Sequence, residues 1–266
     1  RGSVESGLQK MLAIGFGKQQ GAAAWHSEPF EAFGSLLEEA GRFLINRLNV
    51  PCGIALVENA REQTAIVEAV LGEDIPMREP ELLQRAKELT GRFLVPRFDV
   101  LIIDQLGKDI SGTGADPDVT VRYSVPGLEG GAEIQRVVAL DLTDATQGSA
   151  MGMGLMDVVS KRVIAKADFG ATWINVVTSR GFASGKMPIV METDKQSIGL
   201  ALNTLNRVSS LKAHLVRIED TMHLEEIWIS EPMWEAYRGE GIFEQRGPIE
   251  PIPFDKEGNL VRSIAS

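Results

Sequence analysis

The chain has 266 residues, 44% of them hydrophobic, with a formal charge of −10. Length and apolar share allow a substantial core in one or two domains. The acidic balance and the lack of any block of like charges argue against nucleic acid as a partner, because a polyanion needs a local excess of Lys and Arg. No apolar run reaches the roughly 18 residues of a membrane helix, so no membrane association is expected. Cys52 is the single cysteine, which excludes a disulfide framework or a Cys-based zinc cluster and fits a reducing cytoplasm. The chain opens Arg1-Gly2-Ser3 without Met, and this start reads as an internal cut in a longer protein.

Residues 7–26 collect Gly7, Gly15, Gly17 and Gly21 among small and apolar residues and end at His26. A helix is expected next, with Ser27 as its cap, Pro29 in its first turn, and Glu28 and Glu31 at the positive end of its dipole. From Phe30 to Leu48 apolar residues recur at three- and four-residue spacing, and Asn49 and Pro51 close the helix. Residues 53–58 and 63–71 predict a hairpin, and residues 79–93 a second helix. Val95-Pro96 reads as a hinge, because Pro restricts its predecessor and lacks a donor.

Beyond it strands and helices alternate. Strands are expected at 98–103, 137–142, 172–177, 188–192, 214–218 and 225–229, and helices at 150–165 and 195–205. The pattern predicts an α/β chain: a partial N-terminal α/β domain over 1–95, then a Rossmann-like C-terminal domain over 96–245 with a mainly parallel sheet. Residues 246–266 read as a returning tail.

Two segments carry the chemistry. In residues 2–26, a Lys among glycines can approach a bulky planar ligand closely, because no Cβ atoms obstruct it. His26 precedes a helix N-terminus, where backbone N–H groups hold anions. Lys10 and Lys18 both compete for this role, and the plainer reading of His26 is a solvent-facing or capping residue. In residues 98–118, an apolar strand delivers Gln105 and Lys108 into a Gly-rich loop, the usual place for an α/β active site. Lys108 can neutralise a carboxylate, and Gln105 can hydrogen-bond a hydroxyl or carboxylate oxygen. The plainer reading there is a Gly-rich turn with a surface lysine, with Asp109 and Asp116 capping the loop. Trp173 offers an indole to a flat cofactor, or else fills a strand core. His214 and His223 read as structural, and the Gly/Ser-rich basic residues 179–186 are a weak anion-loop signal.

These two segments resemble the nickel-dependent lactate racemases. Lys10 stands sixteen residues before His26, similar to the family's spacing, and Gln105 and Lys108 are three apart, as its substrate residues are. The resemblance implies that Lys10 is joined covalently to a nickel-pincer nucleotide, a pyridinium bisthiocarboxylic acid mononucleotide. It implies that His26 is the protein ligand to nickel, beside two sulfurs and a carbon of that cofactor. Gln105 and Lys108 would orient a 2-hydroxy acid, which is racemised or epimerised by reversible hydride transfer. The family's two acid–base histidines and its carboxylate-gripping arginine have no match here and would lie before residue 1. This stretch alone would then be inactive without that missing N-terminal part. Lactate itself is not implied, since the loop after Lys108 departs from the founding enzymes. A homo-oligomer is compatible with the sequence. The contrasting expectation is a non-catalytic nucleotide- or anion-binding α/β module with a regulatory or assembly role.

Overall fold

The computed structural model describes residues 2–25, 27–29, 32–125, 128 and 130–261. The fold is mixed α/β and divides into two compact units. The first holds the described residues up to Gly91 together with Thr178–Arg180; the second holds Arg92–Val177 and the remainder from Gly181. The sequence pattern places the change of architecture at Pro96, a few residues later. Among the described residues no helix is long and apolar enough to cross a membrane.

In the first unit a short helix α1 (Leu8–Lys10) runs into a π-helical turn (Met11–Gly15) and then α2 (Lys18–Trp25). The next helix, α3, spans Phe33–Leu48, and its buried residues Leu37, Gly41 and Ile45 repeat every four positions. Asn49 closes it in the left-handed conformation at φ 48°, as its side chain permits. The expected start at Ser27 is corrected. Ser27 donates its hydroxyl to Ala24 O at 2.5 Å and so finishes α2 rather than capping α3. Strands β1 (Cys52–Glu58) and β2 (Thr64–Leu71) form the expected hairpin, and Asn59 Oδ1 braces its turn by accepting Arg61 N–H and Gln63 N–H. Helix α4 spans Ile75–Leu89, four residues earlier than its sequence suggests; Pro76 suits its start, and burial of Ile75 extends it over Pro80. Ile45, Val57, Val70, Ile75 and Leu82 make the core of this unit.

The second unit is built on six strands: β3 (Arg97–Ile103), β4 (Glu133–Ala139), β5 (Val158–Ser160), β6 (Ile189–Met191), β7 (Leu215–Ile218) and β8 (Trp228–Ile229). Their order is β6-β5-β4-β3-β7-β8; every pairing is parallel except β7 with β8. Successive strands step outward from β3 to β6, and the chain then returns to the other side of β3 with β7. The reversal makes a switch point between the carboxyl ends of β3 and β7, where open α/β sheets place ligands. β3 is apolar on both faces, as a central parallel strand must be. One face packs Leu101, Ile103 and Val137 against Met153, Val163 and Met233. The other packs Val100, Ile102 and Val138 against Ile198 and Ala201 of α8 (Asp194–Asn203) and against Leu260 of the C-terminal segment.

Two expected elements are corrected here. Residues 150–165 are not one helix. A loop with a 3₁₀ turn at Met153–Leu155 leads into β5, and Ser160 then caps α6 (Lys161–Lys166) by accepting Arg162 N–H. Gly152 forces the break: its φ is +96°, and a side chain there would strike the carbonyl of Thr113. Residues 172–177 are not a strand but the middle of α7 (Phe169–Ser179). Their β-branched side chains suggest a strand, yet the buried positions Thr172 and Val176 lie four apart, and Asp168 accepts Ala171 N–H to open a helix.

Candidate active site

Lys10 is the last residue of α1; its side chain is exposed and has no partner among the described residues. What holds its turn in place is Glu79 of α4, buried to 4% exposure, whose two carboxylate oxygens accept Gln9 N–H at 3.3 and 3.1 Å. Gly7, at φ 120°, leaves room for that carboxylate, which a Cβ would strike. Burial, the largest influence on it, pushes the Glu79 carboxyl above the usual carboxylate range, and the bonds from Gln9 and Leu8 pull the other way. The Gln9 side chain is itself buried at 1% exposure, with neither carboxamide atom hydrogen-bonded among the described residues. Gly17 and Gly21 pack against one another, since a Cβ on Gly17 would meet Gly21 Cα at 2.8 Å. These two glycines therefore serve helix packing. Lys18, at φ 50°, begins α2 with its side chain exposed. His26, the expected nickel ligand, lies outside the described residues. Among those described, no group of three His, Cys, Asp or Glu side chains is placed to hold a metal ion.

In the second unit the chain leaves β3 between the ends of its two neighbours. Gln105 N–H donates to Glu219 O at 3.0 Å beyond β7, and Leu106 N–H to Asp141 O at 2.9 Å beyond β4. Gln105 is half-buried, and its carboxamide has no partner among the described residues. A turn follows from Gly107 to Gly114, closed by Gly107 N–H to Gly114 O at 2.8 Å. Gly114, at φ +82°, lies so close to the loop before β5 that a Cβ would strike Met151 O. Lys108 N–H donates to Thr146 Oγ1 at 3.0 Å, and its ammonium donates to Asn175 Oδ1 of α7 at 2.8 Å. Lys108 is exposed, and no carboxylate among the described residues pairs with its ammonium.

Asp109 accepts the Thr143 hydroxyl, and Asp116 accepts Asp118 N–H to start α5 (Pro117–Thr120); both brace the loop. Trp173 shares α7 with Asn175 but projects elsewhere. Two residues correspond to about 200° around a helix, and the indole instead lies against Phe169 at 5.5 Å and remains 55% exposed. Of residues 179–186, Ser184 is buried and donates to Gly181 O, Gly185 packs on Val176, and the basic Arg180 and Lys186 are exposed.

Several charged groups at the carboxyl edge of the sheet were not singled out by the sequence. Arg217 of β7 grips Asp104 with two bonds of 2.8 and 2.7 Å, both side chains buried, and its guanidinium lies 4.5 Å over Trp228. Arg162 donates to both oxygens of the fully buried Asp194 at 2.8 Å, and Lys166 reaches Asp141 at 3.2 Å. His214 packs edge-on against Tyr237, as a structural residue. His223 does more, because Nδ1 lies 2.8 and 2.9 Å from the two oxygens of buried Asp220. The signal for it was available: Asp and His three apart, just past a predicted strand.

No protein-family model, curated protein or solved structure matches this chain.

Proposed function

We propose that this protein racemises or epimerises a small 2-hydroxy acid, using a nickel-pincer nucleotide carried on Lys10. The observation that carries the reading is that Lys108, whose ammonium has no carboxylate partner among the described residues, and Gln105, whose carboxamide is unengaged among them, both follow the carboxyl end of the central strand. Lys108 holds the substrate carboxylate through a charge-assisted bond, and Gln105 donates to its hydroxyl or second carboxylate oxygen. Lys10 fits as the cofactor's covalent anchor. It offers an exposed, unpaired amine for an acyl link. A pincer brings three of nickel's donors itself, so a single side chain, His26, completes the set and no donor cluster is required. When bound, the cofactor supplies a hydride acceptor.

The experiment is expression of the full-length protein alongside the cofactor-synthesis enzymes, followed by peptide mass analysis, nickel determination and chiral analysis of 2-hydroxy acids. Added mass is expected on the peptide containing Lys10, absent in Lys10→Ala and retained in Lys18→Ala. Mass that follows Lys18, or no added mass, overturns the reading. The latter result with retained anion binding favours the non-catalytic module instead.

A further inference from the structure

Asp220 lies two residues beyond β7, at the switch point of the sheet, and is 5% exposed. Its carboxylate accepts Met222 N–H at 2.7 Å, and both oxygens lie within 2.9 Å of His223 Nδ1. The turn itself needs no more than the Met222 bond. The imidazole beside it is about half exposed, at 46% of its side chain. A carboxylate at Nδ1 fixes the tautomer with hydrogen on that nitrogen and leaves the lone pair of Nε2 pointing away. Nε2 has no hydrogen bond among the described residues.

The switch point is where an open α/β sheet forms its ligand crevice. The loop carrying this pair is joined to the loop of Gln105 and Lys108 by Gln105 N–H to Glu219 O at 3.0 Å and by Asp116 N–H to Thr221 Oγ1 at 2.9 Å. Beside it the Asp104–Arg217 pair fixes β3 to β7. An imidazole oriented by a buried carboxylate at the carboxyl end of a parallel strand has the parts of a general base.

We propose that Asp220 and His223 form a proton-transfer dyad of this crevice, with Nε2 taking the hydroxyl proton of the 2-hydroxy acid that Gln105 and Lys108 hold. The substrate O–H bond breaks and an Nε2–H bond forms. The electron pair stays on the substrate oxygen, and Asp220 remains ionised beside the imidazolium. The reverse transfer returns the proton to the product. The inference rests on the substrate class proposed above and adds a base that the sequence had classed as structural.

The test is nitrogen NMR on the full chain with labelled histidine, using His223→Gln to identify the signal and glycolate as the probe. Acetate, which lacks the hydroxyl, is the control. The neutral imidazole is expected to carry its hydrogen on Nδ1, and Asp220→Asn to lose that preference. Glycolate is expected to move the Nε2 signal several-fold more than acetate does. In His223→Gln, with an unchanged melting temperature, the preference for glycolate over acetate is expected to disappear. Hydrogen on Nε2 in the unmodified protein, or equal responses to the two acids, overturns the dyad. If glycolate perturbs Lys108 and leaves His223 untouched, the dyad fails while the carboxylate site stands. If His223 responds to glycolate but Lys10 never acquires the cofactor, the dyad stands and the pincer reading fails.

Discussion

The turn that carries Lys10 and the switch point beside β3 treat buried polar groups in opposite ways. At the switch point Asp104 meets Arg217 through two charge-assisted bonds. Beside Lys10, Glu79 is buried with backbone N–H groups rather than a cation for company, and Gln9 has no side-chain partner among the described residues. A buried charge with a well-placed counter-charge fixes geometry at modest net cost, whereas an unpaired buried group raises the energy of the state that contains it. The first arrangement makes a rigid edge for a crevice. The second makes a turn whose stability depends on protonation, and it includes a π-helical stretch of the kind often found at functional sites.

The contrast can be broken most forcefully at Asp104. Asp104→Ala leaves Arg217 buried without its counter-charge, and a loss of about 3–5 kcal/mol is expected in the urea-induced unfolding of the second unit. Replacing both residues with apolar ones of similar size should recover much of that loss, which a double-mutant cycle would read.

Lys108 tests the exposed side of the same edge. In the full-length, cofactor-loaded enzyme Lys108→Ala should lower kcat/KM by about tenfold or more, since one charge-assisted bond contributes roughly 1.5–3 kcal/mol. Nickel content should not change. A parallel fall in nickel would show that Lys108 acts on the cofactor and not on the substrate.

Glu79 tests the other region through pH. Its folded-state carboxyl is raised by burial, so the stability it contributes is fully present below the unfolded carboxyl value and is lost as pH rises through the folded one. Glu79→Gln keeps an acceptor for Gln9 N–H and never ionises. Its stability should therefore fall less than that of the unmodified protein as pH rises above the ordinary carboxylate range. Glu79→Ala removes the cap as well and should cost about 1 kcal/mol by comparison with Gln. Parallel pH profiles for the unmodified protein and Glu79→Gln would refute the account.

The smallest effect is expected at Gln9. Gln9→Leu replaces an unpartnered carboxamide with apolar atoms of similar volume, so thermal melting should be unchanged or raised by the equivalent of about 1 kcal/mol. A clear loss would mean that the carboxamide has a partner, such as a protonated Glu79.

Periodicity and punctuation alone determine much of this protein. The helical state of α3, its close at Asn49, the β1–β2 hairpin and the apolar run of β3 were legible, because each depends on neighbours within a few residues. The buried stripe of α3 was not, since Gly41 and Ile45 are buried with Leu37 while Phe43 and Leu48 are exposed. The placement of Gln105 and Lys108 past the end of a buried strand was legible too. The helical state of residues 172–177 was not, since β-branched side chains favour a strand until Thr172 and Val176 find their burial four residues apart. Nor was the break at Gly152, which is decided by the carbonyl of Thr113, distant in sequence. The pairing of Asp104 with Arg217 joins residues 113 positions apart, and it exists because β3 and β7 lie side by side. The role of His223 turns on the burial of Asp220 and on which strand end carries it. Sequence fixes local conformation through short-range sterics and hydrogen bonding, whereas burial and cross-strand adjacency belong to the tertiary structure, and those decide which of its charges are paired and which are left available to a ligand.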